Sequence, residues 1–384
     1  MTRAAGEPGG WGNWGDWAEL LRVSALFTVP GDALAGAAAA RCGPNRGTAL
    51  AVCASLCLYE AGMALNDWAD REIDAVERPG RPLPSGRIAP GAALTAATGL
   101  TAAGLLCAAA AGRPALTTAT ALAGTVWAYD LGLKNTPAGP PAMAAARALD
   151  LLLGATASAP AALRNALAPA ALLGAHTLAV TTVSRREAVG GSSAAPLGAL
   201  AVGTAIAWAA TRRPARPATT TDRPPGRGRE AGRPPVATPA KAATVPNRRG
   251  APGGDQSTGG AVAAVVATAI GRTRSTSRFA AVVGAAPTRN SGAIPAPGAA
   301  AGRFAALAGV VLAGGYVATV ARPLADAALN PSPYFLQRAV GSGIRAMIPL
   351  QAVLASRAGA HRTAAGLLAL MPVARRLSRK VSAT

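Results

Sequence analysis

The chain has 384 residues, of which 51% are hydrophobic and only 14% are charged, with a formal net charge of +21. Abundant Ala and Gly among recurring apolar stretches favour an integral membrane protein built from closely packed helices. The four cysteines lack zinc spacing, which excludes a zinc framework, and the positive charge is better explained by membrane flanks and one basic segment than by nucleic-acid binding.

Apolar runs of membrane-spanning length follow one another along the chain. We expect spans at about residues 20–40, 48–65, 91–111, 115–133, 141–162, 167–183, 194–210, 303–320 and 334–355. The first contains Pro30 and Asp32 and should be kinked or broken. A last apolar run, 364–373, is either the end of a bent ninth span or an amphipathic surface helix. The predicted fold is therefore an all-α polytopic bundle of about nine spans.

Three polar segments flank or interrupt these spans. Residues 1–16 form a tail that we expect to be mobile, and residues 377–384 form a basic tail. Residues 211–299 are rich in Pro, Arg, Gly and Thr, with 14 basic and three acidic residues. Such a composition cannot bury a core, so we predict a disordered basic insertion that acts as a passive linker. Binding of anionic lipid or nucleic acid is the alternative for this insertion.

A cluster of acidic residues ends the second span. At about 100° per residue, Asn66, Asp67, Asp70 and Asp74 fall within one helical arc about a quarter turn wide. Carboxylates crowded in this way repel each other unless a cation lies among them. Oxygen ligands of this type suit Mg²⁺ held together with substrate phosphates. An acidic helix end beside a solvated loop is the structural alternative.

The loop after this cluster carries arginines, whose guanidinium groups bind phosphate oxygens with two hydrogen bonds. The combined pattern resembles the first aspartate-rich motif of the UbiA superfamily of intramembrane prenyltransferases. The residues that carry the resemblance are Asn66-Asp67-x-x-Asp70-x-x-x-Asp74 and Arg78-x-x-Arg81-Pro82-x-x-Ser85-Gly86. The resemblance covers residues 17–210 and 300–376. It implies that Asn66, Asp67, Asp70 and Asp74 hold Mg²⁺ with a diphosphate that Arg78 and Arg81 contact.

The end of the fourth span adds Tyr129, Asp130 and Lys134. Tyr and Lys at such places are usually interface anchors. In the resembled family a Tyr and a Leu-Lys pair line the polar mouth of the site, so both interpretations stay open here. Asp130 and Tyr129 are candidate bases, and Glu60, which shares the face of the acidic cluster one to two turns deeper, is a third or a structural glutamate.

Two later spans carry isolated polar residues. Arg147 and Asp150 lie three residues apart and can pair on one helix face, for packing or for substrate binding. His176 lies on an apolar face and is more often a core residue than a ligand there.

The sixth span ends in Ser184-Arg185-Arg186-Glu187, where the resembled family carries a second aspartate-rich motif. The segment is similar to a replacement in an actinobacterial branch related to the membrane subunit of the Ebo cluster. Arg185 or Arg186 could neutralise diphosphate directly, with Ser184 beside them and Glu187 as a lone metal ligand or an arginine partner. With one carboxylate in this segment, a second Mg²⁺ would be weakly held.

Together with these residues, the resemblance implies a Mg²⁺-dependent prenyltransferase that acts on a prenyl diphosphate and a hydrophobic or amphipathic acceptor within the membrane lipid. The alternative is a non-catalytic carrier or assembly partner that binds a lipid diphosphate. We expect the chain to cross the cell membrane, and the positive-inside rule places the face of the acidic cluster in the cytoplasm. The basic residues of that face are Arg71, Arg78, Arg81, Arg87, Lys134, Arg185 and Arg186, against Arg41, Arg46, Arg113 and Arg164 on the other.

Overall fold

The computed structural model describes residues 10–22, 26, 28–187, 190–212 and 299–381, with backbone alone at 299–306 and 373–381. Its regular elements are helices, as predicted. They are α1 Trp14–Leu20, α2 Val29–Ala39, α3 Arg46–Ala69, α4 Arg71–Glu77, α5 Pro90–Ala111, α6 Arg113–Leu131, α7 Gly139–Ser158, α8 Arg164–Ser184, α9 Ala194–Thr211, α10 Ala299–Leu329, α11 Pro333–Arg357 and α12 His361–Val381. The tail at 1–9 and the insertion at 213–298 lie outside the described residues.

Six helices of the described part are long and apolar enough to cross a membrane, against the nine spans expected. They are α3, α5, α8, α9, α11 and the part of α10 at Leu307–Leu329. Within the first expected span, 20–40, the structure has the 11-residue α2, which has Pro30 in its first turn, and α1 ends where that span was expected to begin. A Pro fits there because the first turn leaves its N–H groups unbonded. The last apolar run lies within α12, a helix that extends to Val381 and packs on α11.

Helices α2 and α7 cross at contact distance because glycine faces backbone on each of them. A Cβ on Gly154 would lie 2.1 Å from the Ala33 carbonyl oxygen, and one on Gly36 would lie 1.9 Å from that of Leu151. Small residues allow such approaches between helices in a bilayer. The crossing places Asp32 of α2 against the middle of α7.

The His176 side chain joins three helices in the core. It is 4% exposed, with Nδ1 2.9 Å from the Tyr316 hydroxyl of α10 and Nε2 3.0 Å from the Gly343 carbonyl oxygen of α11. Since a carbonyl only accepts, Nε2 carries the proton and Nδ1 accepts from Tyr316. Both ring nitrogens are thus satisfied, and the interpretation of His176 as a core residue is confirmed.

Candidate active site

The acidic cluster lies at a break between two helices. Helix α3 ends at Ala69, Asp70 caps it with φ −90° and ψ 2°, and α4 starts at Arg71. The cluster therefore does not lie on one continuous helix, as the arc calculation assumed. The chain nevertheless stays hydrogen-bonded through the break, because Asp70 N–H donates to the Asn66 carbonyl and Asp74 N–H to that of Asp70.

Arginines of the chain itself separate the carboxylates. Arg81 Nη1 lies 2.5 Å from Asp74 Oδ2 and 3.5 Å from Asp67 Oδ1, while Arg78 reaches Asp74 only at 3.9 Å. Arg22 Nη2 donates to Asp67 Oδ1 at 3.0 Å. Asp67 and Asp74 are 5% and 3% exposed, so these contacts neutralise charges that are almost out of water. Sequence reasoning missed Arg22, whose signal is a basic residue at the start of the first expected span.

The Arg-Pro and Ser-Gly parts of the motif shape the loop that delivers Arg81. The Ser85 hydroxyl donates to the Arg81 carbonyl at 2.6 Å, and Ser85 N–H donates to the same oxygen at 3.0 Å. Gly86 has φ +73°, a left-handed conformation that glycine adopts without strain. Leu83 and Ile88 are buried beneath the loop. The Ser85 hydrogen bonds and the conformation of Gly86 thus hold the backbone of the loop that carries Arg81.

Helix α1 holds the other end of this loop. Arg87 Nη1 lies 2.6 Å from Asp16 Oδ1 and 2.8 Å from Glu19 Oε2, and Arg87 Nη2 donates to the Gly80 carbonyl at 2.7 Å. The hydrogen bond from the Asn13 backbone N–H, and secondarily Arg87, lowers the pKa of Asp16 below its ordinary value. The ionised carboxylate therefore favours the docked position of α1.

The opposite side of the cluster comes from α6 and the turn after it. Lys134 Nζ lies 2.6 Å from Asp70 Oδ1, and Asn66 Nδ2 donates to Asp130 Oδ1 at 3.1 Å. Asp130 is buried and Tyr129 is half-buried. The structure thus brings Asp130 and Lys134 to the acidic cluster. It commits the Asn66 amide to Asp130.

The Ser184–Glu187 segment lies beyond this turn. Arg185 Nη1 donates to the Thr136 and Lys134 carbonyls, and both Arg185 and Arg186 are exposed. Glu187 is half-buried, and burial raises its pKa. Ser184 is half-buried at the end of α8. Of the two arginines predicted for diphosphate, Arg185 contacts backbone oxygens in this structure, and a phosphate contact of either arginine stays a prediction.

A second polar cluster lies deeper in the bundle. Arg147 Nη1 lies 2.5 Å from Asp32 Oδ2, and Gln351 Nε2 donates to Asp32 Oδ1 at 2.6 Å. Ser55 Oγ donates to Asp150 Oδ2 at 2.7 Å. Arg147 therefore pairs across helices with Asp32, and the predicted pair with Asp150 along α7 is replaced. Asp32 and Gln351 were missed as site residues, although an acid within an apolar run is a signal for Asp32.

Glu60 stands apart from both clusters. It is 8% exposed, and neither carboxylate oxygen has a hydrogen-bond partner among the described residues. A buried carboxyl without a donor is costly unless it is protonated or meets a ligand. No hydrogen bond joins Glu60 to the acidic cluster among the described residues, and its role as a base stays a prediction.

The acidic cluster can be tested for its fit to Mg²⁺. Within the described ranges, no three acidic, His or Cys side chains are close enough to hold a metal ion by themselves. Mg²⁺, however, is usually held by one or two carboxylates together with phosphate oxygens. Asp67 and Asp74 share Arg81 Nη1, and Asp70 follows Asp67 by one helical turn. This donor set fits a Mg²⁺ ion that binds together with a diphosphate.

Comparison with known proteins shows similarity over part of the chain. Residues 25–202 match the family model described as the UbiA prenyltransferase family. Digeranylgeranylglyceryl phosphate synthases are similar: that of Methanopyrus kandleri is 36% identical over 115 residues, 30% of this chain and 41% of the relative, and that of Methanothrix thermoacetophila is 40% identical over 111 residues, 29% and 42%. The aligned stretch thus spans about two fifths of these relatives.

Two solved structures also align with the chain. One, from work on digeranylgeranylglyceryl phosphate synthase in membranes, is 16% identical with a TM-score of 0.46, over 90% of this chain and 98% of that one. The apo structure of a UbiA homologue from Aeropyrum pernix K1 is 16% identical with a TM-score of 0.44, over 83% and 96%. The sequence match to the UbiA prenyltransferase family thus covers residues 25–202, which is less than half of the chain.

Proposed function

We propose that this chain is an intramembrane prenyltransferase that moves a prenyl group from an allylic prenyl diphosphate to a lipophilic acceptor, with Mg²⁺. The observation that carries the proposal is the cluster of four carboxylates and four cations at the end of α3. Its carboxylates are Asp67, Asp70, Asp74 and Asp130, and its cations are Arg22, Arg78, Arg81 and Lys134. Carboxylates suited to a metal and cationic side chains suited to phosphate thus share one site.

The leaving group sets the electrostatic task of this site. When the bond between C1 of the prenyl group and the diphosphate oxygen breaks, its electron pair stays on the diphosphate. Bound Mg²⁺, held by Asp67, Asp70 and Asp74, would neutralise part of that charge. Arg81 and Lys134 donate to phosphate oxygens, which stabilises charge that develops during bond breaking. Apolar helices around the site keep water from the allylic cation.

The acceptor must lose a proton as its nucleophilic atom bonds to C1. Asp130 is the best-placed base, because it is buried within the acidic cluster and already fixed by Asn66. Tyr129 and Glu60 remain candidates, and we leave the acceptor itself unassigned. The relatives named digeranylgeranylglyceryl phosphate synthases favour geranylgeranyl diphosphate as the first donor to test.

The finer parts of the proposal concern branch and location. We assign the chain to the actinobacterial branch related to the Ebo-cluster membrane subunit, on the Ser184–Glu187 segment. We place it in the cell membrane with the acidic cluster facing the cytoplasm, on the distribution of basic residues. Labelling of single cysteines introduced on either side of α3, in a variant whose four native cysteines are replaced by Ser, would test that orientation.

The test is pyrophosphate release by the purified full chain in detergent. Geranylgeranyl diphosphate, Mg²⁺ and a lipid extract of the source membrane are supplied. We expect release by the wild type and its loss in Asp67→Ala and Asp70→Ala. Glu72→Ala, which removes an exposed acid of α4, should retain activity. Binding of the diphosphate without release would favour the alternative, a non-catalytic carrier or assembly partner.

A further inference from the structure

The end of α8 is fastened to the turn that carries Lys134. Arg185 Nη1 donates to the Thr136 carbonyl and, at 3.4 Å, to that of Lys134. Gly139 leaves the space for this contact, because a Cβ there would lie 2.8 Å from the Lys134 carbonyl oxygen and 3.2 Å from Arg185 Nη1. The side chain of one helix thus reaches the backbone of a turn about fifty residues earlier in the chain.

Lys134 presents donors to the site. Its side chain is only 11% exposed, and Nζ lies 2.6 Å from Asp70 Oδ1. This contact is an ion pair. No acceptor among the described residues meets Nζ in hydrogen-bond geometry. An ammonium group has three donors, and a buried one requires acceptors. The oxygens of an anion bound beside Asp70 would supply them.

We propose that Arg185 is a positioning residue, which holds the turn at 133–138 so that Lys134 Nζ faces a bound diphosphate. Arg185 then contributes through Lys134 and not by direct contact with phosphate. The inference rests on the proposed function, because it assigns the anion at Lys134 as the diphosphate of the donor.

The chemistry of arginine suits this task. A guanidinium has five donors in a fixed plane, so one side chain can bond several carbonyls at once, which a lysine ammonium does with less geometric control. Arg185 is also the residue that caps the C-terminus of α8, where a positive charge interacts favourably with the helix dipole. Removal of the guanidinium would release two carbonyls of the turn and let Lys134 move.

A double-mutant cycle on binding tests the inference. Isothermal titration with inorganic pyrophosphate and Mg²⁺ would compare the full wild-type chain in detergent with Arg185→Ala, Lys134→Ala and the double variant. We expect each single change to raise Kd by about tenfold, the value of one charge-assisted hydrogen bond, and the double variant to bind no worse than Lys134→Ala. Arg185→Lys should recover part of the loss. Losses that multiply in the double variant would overturn the inference.

Hydrogen exchange of the turn gives a second readout that needs no substrate. In Arg185→Ala, amides between residues 133 and 139 should exchange faster than in the wild type, while Arg113→Ala, which removes an exposed arginine at the start of α6, should leave them unchanged. Unchanged exchange in Arg185→Ala would overturn the inference that Arg185 holds the turn. A wild type that neither binds pyrophosphate nor releases it from a prenyl diphosphate would instead contradict the proposed function. The exchange result would still decide whether Arg185 holds the turn.

Discussion

Arg81 is the residue whose removal should reveal most about the acidic cluster. Its Nη1 touches both Asp67 and Asp74, which are almost fully buried. In Arg81→Ala, Asp67 keeps Arg22 at 3.0 Å, while the one ion pair that Asp74 keeps among the described residues is the 3.9 Å contact with Arg78. In the free enzyme, Arg81→Ala therefore removes about one charge-assisted hydrogen bond to the carboxylates. In the reacting complex, it removes about one charge-assisted hydrogen bond to phosphate.

Such a bond is worth about 1.5–3 kcal/mol. If it strengthens as the leaving group gains charge, kcat/KM for pyrophosphate release should fall by about 10- to 150-fold in Arg81→Ala. Arg81→Lys should lie between the two, because it keeps the charge but loses the planar fork.

Arg78→Ala is the matched control for this experiment. The Arg78 side chain is 58% exposed and its ion pair is long, so its loss should cost at most about 1 kcal/mol, or fivefold in kcat/KM. The reasoning would be refuted if Arg81→Ala, still folded by its thermal transition, lost no more activity than Arg78→Ala.

Three further predictions concern the fold around the site. Asp32→Ala leaves Arg147 buried without its partner, so the unfolding free energy should fall by about 3–5 kcal/mol, and adding Arg147→Met should restore much of the thermal stability in detergent; an unchanged melting temperature for the single variant would contradict this. Gly154→Ala drives a methyl group into a carbonyl of α2 and should destabilise by about 1–3 kcal/mol, whereas Gly99→Ala, with nothing within 4 Å, should not destabilise; equal effects would argue against the close crossing. Because its folded pKa is lowered, Asp16 should support the docking of α1 fully above its unfolded pKa of about 3.9 and lose it as pH falls through the folded value; limited proteolysis of α1 should show this acid dependence in the wild type and not in Asp16→Asn.

The helices and the acidic cluster could be predicted because both depend on residues that are close together in the sequence. Apolar runs mark the helices, and a motif within nine residues places Asp67 and Asp74 near each other. The break at Asp70 changes the backbone but not that proximity, since the hydrogen bonds continue through it. The expected count of nine spans is not confirmed, because α2 has only 11 residues and α6 and α7 are not among the six helices of the described part that are long and apolar enough to cross a membrane.

The partners of the charged residues could not be predicted, because they depend on how distant helices cross. Arg147 pairs with Asp32 rather than Asp150 since glycines bring α2 against α7. Arg22 reaches Asp67 from 45 residues away, and Arg185 bonds carbonyls where a phosphate contact was expected. Charge pattern indicates that partners exist, whereas packing decides which ones meet.

The most direct test of the account follows the prenyl group itself. Membranes that contain the full chain would be incubated with radiolabelled geranylgeranyl diphosphate and Mg²⁺, and the label would be traced into lipid from which diphosphate has been lost. We predict a labelled lipid product with the wild type and none with Asp67→Asn. Label that stays in the diphosphate with both proteins, while the wild type binds it, would contradict prenyl transfer as the function of this chain.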